Sequence, residues 1–145
     1  MTVRALESRD VDAIFAIQAG CPEIAQWTAW DYDRVARGEM AGWVAEEEAE
    51  VAGFLVARRL SSELEILNFA VESEWRRCGI GAALLAEALQ WAQTFQATHA
   101  ILEVRASNLS ALRFYERHKF EVVGRRPRYY TAPVEDALLL TATLI

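Results

Sequence analysis

The residues predict a mixed α/β fold, a central sheet of about seven strands with about four helices on its faces. Strand-like runs recur along the 145 residues, and between them stand segments with apolar residues at helical spacing. One such helical segment separates two strands around residues 64–105, the pattern of a right-handed parallel crossover. The chain is 53% hydrophobic and 25% charged, enough apolar mass to bury a core and too much for a disordered chain.

Residues 2–6 alternate as a short strand. Ser8 and Asp10 can cap a helix that runs to about Ala19, with Val11, Ile14, Phe15 and Ile17 on its apolar side, and Gly20 ends it. A second helix begins at Thr28, where Asp31 completes a capping box, and Gly38 closes it. Residues 42–45 and 51–59 read as strands joined by Glu46-Glu47-Glu48-Ala49-Glu50, a solvated hairpin tip. Residues 64–71 form another strand. Ile80, Leu84, Ala88, Trp91, Ala92 and Phe95 then recur at helical spacing and give a helix over residues 79–95. Residues 99–105 return to strand. Ser107 or Asn108 caps a helix to about His118, and residues 120–128 and 136–143 are the last strands. The order is β-α-α-β-β-β-α-β-α-β-β. No linker, repeat or low-complexity stretch interrupts it, so residues 1–145 are expected to form a single domain.

Fifteen Lys and Arg stand against 21 Asp and Glu, a formal net charge of −6. A nucleic-acid surface needs a basic face, so no direct nucleic-acid binding is expected, and a cationic partner suits the field better. The longest purely apolar run, residues 78–86, is far short of the ~20 residues of a membrane span, and the N-terminus has no long apolar stretch. Cys21 and Cys78 lack metal-like spacing, and His99 and His118 are isolated, so no metal site is expected. These features suit a cytoplasmic protein, a monomer or weak homodimer.

The most informative stretch is Val71-Glu72-Ser73-Glu74-Trp75-Arg76-Arg77-Cys78-Gly79-Ile80-Gly81-Ala82. It leaves a strand, passes through Arg-x-x-Gly-x-Gly and opens a helix. Gly79 and Gly81 let the backbone approach a ligand closely. The free N–H groups of the first helical turn, with the helix dipole, suit an anion such as a pyrophosphate. A P-loop needs Gly-Lys-Ser/Thr and a dinucleotide fingerprint needs a third glycine, so both are excluded. The same glycine pair would also serve close helix–strand packing. The strand before it, the paired arginines and the sequence after it favour the anion site.

Downstream stand Leu102-Glu103-Val104-Arg105-Ala106-Ser107-Asn108 and Phe114-Tyr115-Glu116, with Phe120 following. With these strings the chain resembles the GNAT superfamily of acetyl-CoA-dependent N-acetyltransferases. Residues 76–82 look like its pyrophosphate loop, and the later strings like its next strand and helix. Within the superfamily the chain is similar to the RimI-like ribosomal-protein-alanine N-acetyltransferases. That similarity rests on Asn68-Phe69-Ala70-Val71, residues 102–108, and Arg128-Tyr129-Tyr130 followed by Glu135-Asp136-Ala137. It covers residues 64–140 and is loose over residues 1–60.

The resemblance implies the GNAT fold, acetyl-CoA as cosubstrate without a metal, and direct attack of an amine in a ternary complex. It implies Glu103 as general base and Tyr115 as general acid toward the sulfur of coenzyme A. It implies cofactor contacts from Phe69, Ala70, Val71, Arg76, Arg77, Cys78, Gly79, Ile80, Gly81, Ala82 and Asn108. Residues 69–71 would lie along the pantetheine arm as an added strand, with an N–H there to steady the oxyanion. The residues alone also allow plainer roles: Glu103 as an exposed strand residue paired with Arg105, Tyr115 as a core aromatic, Asn108 as an N-cap. The implied acceptor is the N-terminal amine of an alanine-starting ribosomal protein. The alternatives are a small-molecule amine or another peptide, or a noncatalytic acyl-CoA-binding module, which retention of both Glu103 and Tyr115 disfavours. The RimI-like group carries aromatic-Pro-Trp in its early loop, where this chain has Ala25-Gln26-Trp27. Trp27 and Trp30 are candidates for one acceptor wall or for core, and Tyr129 and Tyr130 for the other wall.

Overall fold

Seven strands and four helices make up the described part of the chain, residues 1–76 and 78–144 of a computed structural model. The strands are β1 (Thr2–Ala5), β2 (Ala41–Glu47), β3 (Glu50–Leu60), β4 (Glu63–Val71), β5 (His99–Arg105), β6 (Glu121–Thr131) and β7 (Val134–Thr143). The helices are α1 (Val11–Ala19), α2 (Ala29–Ala36), α3 (Ile80–Gln93) and α4 (Leu109–Arg117). The strands form a sheet in the order β1-β2-β3-β4-β5-β7-β6. Its pairs are antiparallel except β4–β5, the parallel pair that the crossover pattern predicts.

Local signals account for several ends. Thr28 Oγ1 accepts from the Asp31 N–H at 3.2 Å, and Asp31 Oδ2 accepts from the Thr28 N–H at 2.9 Å, the reciprocal capping box. Gly38, at φ 87°, follows α2, with its N–H on Val35 O and the Glu39 N–H on Arg34 O. This closure suits glycine, which meets no Cβ penalty there. The hairpin tip is tighter than the acidic run suggests. β2 continues to Glu47 and β3 starts at Glu50, leaving Glu48 and Ala49 at φ 50° and 66°. Two left-handed residues match the twist of the flanking strands.

Asp10 differs from the expectation of a simple helix cap. It is buried, and Ser8–Asp10 form a short 3-10 turn of their own. Its carboxylate takes two hydrogen bonds from Arg4, each 2.8 Å, and one from the Glu7 N–H at 2.8 Å. Burial alone would raise its pKa; the guanidinium and the N–H outweigh burial and hold the carboxyl below its usual range. Arg4 also binds Glu46, so the network ties β1, the turn and β2 together.

The sheet is covered on both faces. On one, Leu84, Leu85, Ala88 and Ala92 of α3 pack against Leu55, Ala57 and Leu64. On the other, Ile14, Ile17, Tyr32 and Val35 of α1 and α2 pack against Val44, Phe54 and Val56. β3 is therefore buried on both sides from Ala52 to Ala57, which explains its continuous apolar run. α2 lies close on β2. A Cβ added at Gly42 would stand 2.5 Å from Val35 Cγ1 and 3.1 Å from Leu6 Cδ1. Gly42→Ala is expected to destabilise the fold by about 1–3 kcal/mol through overpacking. Denaturant unfolding reads this directly, and an unchanged midpoint would mean that α2 can shift without penalty.

Candidate active site

The functional cleft begins with a failure of pairing. β4 and β5 pair only at Glu63–His99, Leu64–Ala100 and Glu65–Ile101. Just beyond, β4 carries a bulge: Val56 pairs with Asn68 and Ala57 with Ile66, leaving Leu67 as the extra residue. A bulge bends its strand and shifts its alternation. Leu64, Ile66, Phe69 and Val71 accordingly face the α3 side, while Leu67 and Ala70 face α1 and α2. β5 meanwhile stays paired with β7 to its end, Arg105 opposite Ala137. The two strands part and open a cleft of about 220 Å³. Glu65 to Phe69 of β4, Leu102 to Val104 of β5, and Asn108, Ala111 and Tyr115 at α4 line it. Glu23, Ile24 and Ala25 from the loop between α1 and α2 close one side, and Tyr129 and Tyr130 of β6 the other.

Glu103 does not pair with Arg105. Its Oε1 lies 3.3 Å from Arg126 Nε, and its Oε2 is buried without a hydrogen-bond partner among the described residues. An unpaired buried acceptor is unfavourable by itself and stands ready for a ligand donor. Arg105 instead donates to Glu135 Oε1 and Pro133 O, both at 3.1 Å, and its guanidinium lies 4.3 Å from the Tyr130 ring centre. Glu135 in turn accepts from the Ser107 N–H and hydroxyl, at 3.1 and 3.0 Å, which fastens the β6–β7 tip to the start of α4. Burial, reinforced by the charge of Glu103, pushes the Tyr130 phenol up to about 12.

Tyr115 belongs both to the core and to the cleft. Its ring packs edge-on against Phe114 and Phe120, with centres 5.4 and 5.2 Å apart, and the residue also reaches the cleft wall. Burial lifts its phenol above the ordinary tyrosine value, so the group stays protonated around neutral pH and can donate. Asn108 is both an N-cap, its Oδ1 accepting from the Ala111 N–H at 3.2 Å, and a cleft residue.

Behind β4 the chain passes through a 3-10 turn, Ser73–Trp75, to the start of α3. Gly79 caps the helix at φ 81°, a conformation that favours glycine, with open space around it. Gly81 is small for a different reason. A Cβ there would lie 3.2 Å from Phe114 Cε1 and 3.6 Å from Phe69 Cζ, so ring packing accounts for a glycine that the sequence assigns to ligand approach. The first helical bond is from Ala83 N–H to Gly79 O, at 3.1 Å, so the amides of Ile80, Gly81 and Ala82 precede it and suit an anion. Arg76 Nε donates to Val71 O at 3.1 Å, and its Nη2 lies 3.4 Å from Cys21 Sγ and 3.8 Å from Glu23. Cys78 is exposed. Arg77 lies outside the described residues.

Trp27 and Trp30 do not reach the cleft. Trp27 packs on Tyr32, ring centres 5.4 Å apart, within the α1–α2 core. Trp30 is 59% exposed and carries Arg37 over its ring. That side of the cleft is lined instead by Glu23, Ile24 and Ala25, the last of which opens the Ala25-Gln26-Trp27 string; only the fold selects which residues of this loop face inward. Among the described residues there is no metal-binding cluster, and no helix is long and apolar enough to cross a membrane.

A sheet opened between two parallel strands, a helix N-terminus at the end of one and a carboxylate and a phenol lining the gap are features that suit transfer of an acyl group from a long anionic carrier. Comparison with known proteins agrees. The model of the acetyltransferase (GNAT) family matches residues 9–120. An N-alpha-acetyltransferase of Sulfurisphaera tokodaii is 34% identical over 119 residues, covering 73% of this chain and 71% of that protein. The ribosomal protein bS18-alanine N-acetyltransferase of Escherichia coli is 26% identical over 141 residues, covering 96% and 95%. The crystal structure of Ard1 from Thermoplasma volcanium matches 99% of this chain and 97% of its own, with a TM-score of 0.90 and 27% identity. The chain belongs to the GNAT family and is an N-acetyltransferase; enzymes of this family use acetyl-CoA. The family match reaches back to residue 9, into the region where the resemblance is loose by motif alone.

Proposed function

We propose that the enzyme acetylates the N-terminal amine of a protein chain, an alanine-starting ribosomal protein, by direct attack with both substrates bound. The observation that carries this reading is the parted β4–β5 edge with Glu103 and Tyr115 on separate elements around one cleft. Residues 1–145 act in it as one domain, in the cytoplasm, as a monomer or weak homodimer.

Acetyl-CoA, when bound, supplies an acyl group activated as a thioester and departs as a thiol. Phe69, Ala70 and Val71 offer the open strand edge to its pantetheine arm. The amides at the start of α3, with Arg76, Arg77, Cys78 and Gly79 before them, hold its pyrophosphate. Asn108 contributes from the α4 cap. Glu103 Oε2 removes a proton from the acceptor ammonium, directly or through one water, while Arg126 holds Oε1. The Tyr115 hydroxyl gives its proton to the sulfur as the carbon–sulfur bond breaks, and the second proton of the acylated nitrogen restores the hydroxyl. The acceptor lies between Glu23–Ala25 and Tyr129–Tyr130, a gap between a loop and a hairpin that suits a chain end. The names of the Sulfurisphaera tokodaii and Escherichia coli relatives support a protein N-terminus as acceptor.

Thiol release from acetyl-CoA tests the reading. Short alanine-starting peptides should be turned over, and the same peptides with blocked N-termini should not. Turnover of small amines alone would overturn the N-terminal reading in favour of a small-amine acetyltransferase. Tight acetyl-CoA binding with no turnover of any amine would favour an acyl-CoA-binding module.

A further inference from the structure

A set of hydrogen bonds made by buried side chains, outside the transfer chemistry, holds one wall of the cleft. Between α1 and α2, residues 20–28 form neither helix nor strand, so their backbone polar groups need partners from elsewhere. Two core side chains, Gln18 and Asn68, supply those of Trp27 and the carbonyl of Ala25, and a third, Tyr32, joins the two. Gln18 Nε2 donates to Trp27 O at 2.7 Å, and Gln18 Oε1 accepts from the Trp27 N–H at 3.0 Å. Asn68 Nδ2 donates to Ala25 O at 3.0 Å and to the Tyr32 hydroxyl at 2.9 Å. The Tyr32 hydroxyl donates to Gln18 Oε1. Asn68 Oδ1 accepts from the Phe69 N–H at 3.2 Å.

The set permits one arrangement of its protons. Trp27 fixes which way the Gln18 amide points, because its N–H can only donate and its carbonyl only accept. Ala25 O and the Phe69 N–H fix Asn68 in the same way. The Tyr32 hydroxyl then has one choice: it accepts from Asn68 and donates to Gln18. Gln18, Tyr32 and Asn68 are 3%, 0% and 5% exposed, so water does not compete. Asn68 joins the two sides of the site, since it sits on β4 beside Phe69 and reaches across to Ala25, a residue of the acceptor wall.

We propose that Gln18, Tyr32 and Asn68 are positioning residues that set the wall Glu23–Ala25 at a fixed distance from β4 and so govern acceptor affinity. This rests on the reading above that Glu23–Ala25 face the acceptor. A purely apolar core of the same shape would cover the sheet as well; hydrogen bonds aimed at the loop backbone are what place the loop.

Tyr32→Phe tests it, because the ring keeps its packing against Trp27 and Phe54 and only the bridging hydroxyl is lost. Amide hydrogen exchange over residues 23–27 should accelerate about tenfold, and the acceptor KM should rise about tenfold, with a smaller change in the KM for acetyl-CoA. Gln18→Glu, which sets a carboxylate oxygen against Trp27 O where the parent has a donor at 2.7 Å, should show the same split more strongly. Unchanged exchange and unchanged acceptor KM would overturn the clamp and leave the acceptor-wall reading standing. Faster exchange with an unchanged acceptor KM would overturn the acceptor role and that reading with it. Faster exchange throughout both cores, with both KM values rising together, would reduce the three residues to general core stability and overturn the proposal.

Discussion

Tyr115→Phe is expected to lower kcat about a hundredfold while acetyl-CoA binding stays unchanged. The ring sits among Phe69, Phe114 and Phe120, and phenylalanine preserves that packing. What disappears is the hydroxyl proton for the departing sulfur, and general acid catalysis typically contributes about 10²–10⁴-fold. The pH profile carries a second signature. Burial raises the Tyr115 pKa, and the protonated form is the donor, so its contribution is complete at neutral pH and is lost only above the raised value. No descending alkaline limb from this residue should appear in kcat up to about pH 10, the ordinary tyrosine value. Unchanged kcat in the variant would remove Tyr115 as the acid.

Glu103→Gln should cost about a hundredfold in kcat/KM at pH 7 and recover partly as the pH rises. Glutamine is nearly isosteric and keeps an oxygen toward Arg126, whose Nε stands 3.3 Å from Glu103 Oε1 in the parent ion pair. It cannot take a proton. An α-amine has a pKa of about 8, so above that pH the acceptor arrives neutral and the missing base matters less. Initial rates measured from pH 6 to pH 10 with one peptide check this. A flat loss at every pH would assign Glu103 to acceptor binding instead of proton removal.

Much of the scaffold is legible in the chain because its signals are local. The Thr28–Asp31 capping box, the glycine at position 38 and the helical spacing from Ile80 onward each act over one or two turns, and each appears where the residues place it. Gly79 is legible for the same reason, as a turn residue ahead of a helix. Gly81 is less so, since the ring that excludes a side chain there belongs to Phe114, far along the chain. Asp10 reads as a simple cap in the chain because the Arg4 guanidinium that neutralises it is also held by Glu46 of β2, an arrangement that exists only in the assembled sheet. Trp27 and Trp30 share a short stretch, yet one enters the core and the other faces solvent, according to how α2 lies on the sheet.

The order of strands and helices, the anion-suited start of α3 and the motifs that carry the family can all be read along the chain. Where β4 leaves β5, which oxygen of Glu103 is left without a partner and that Glu23–Ala25 line the cleft depend on the assembled fold. Those features arise from pairing and burial between residues distant in the chain: a bulge exists only relative to its partner strand, and a buried oxygen lacks a partner only once its neighbours have taken theirs.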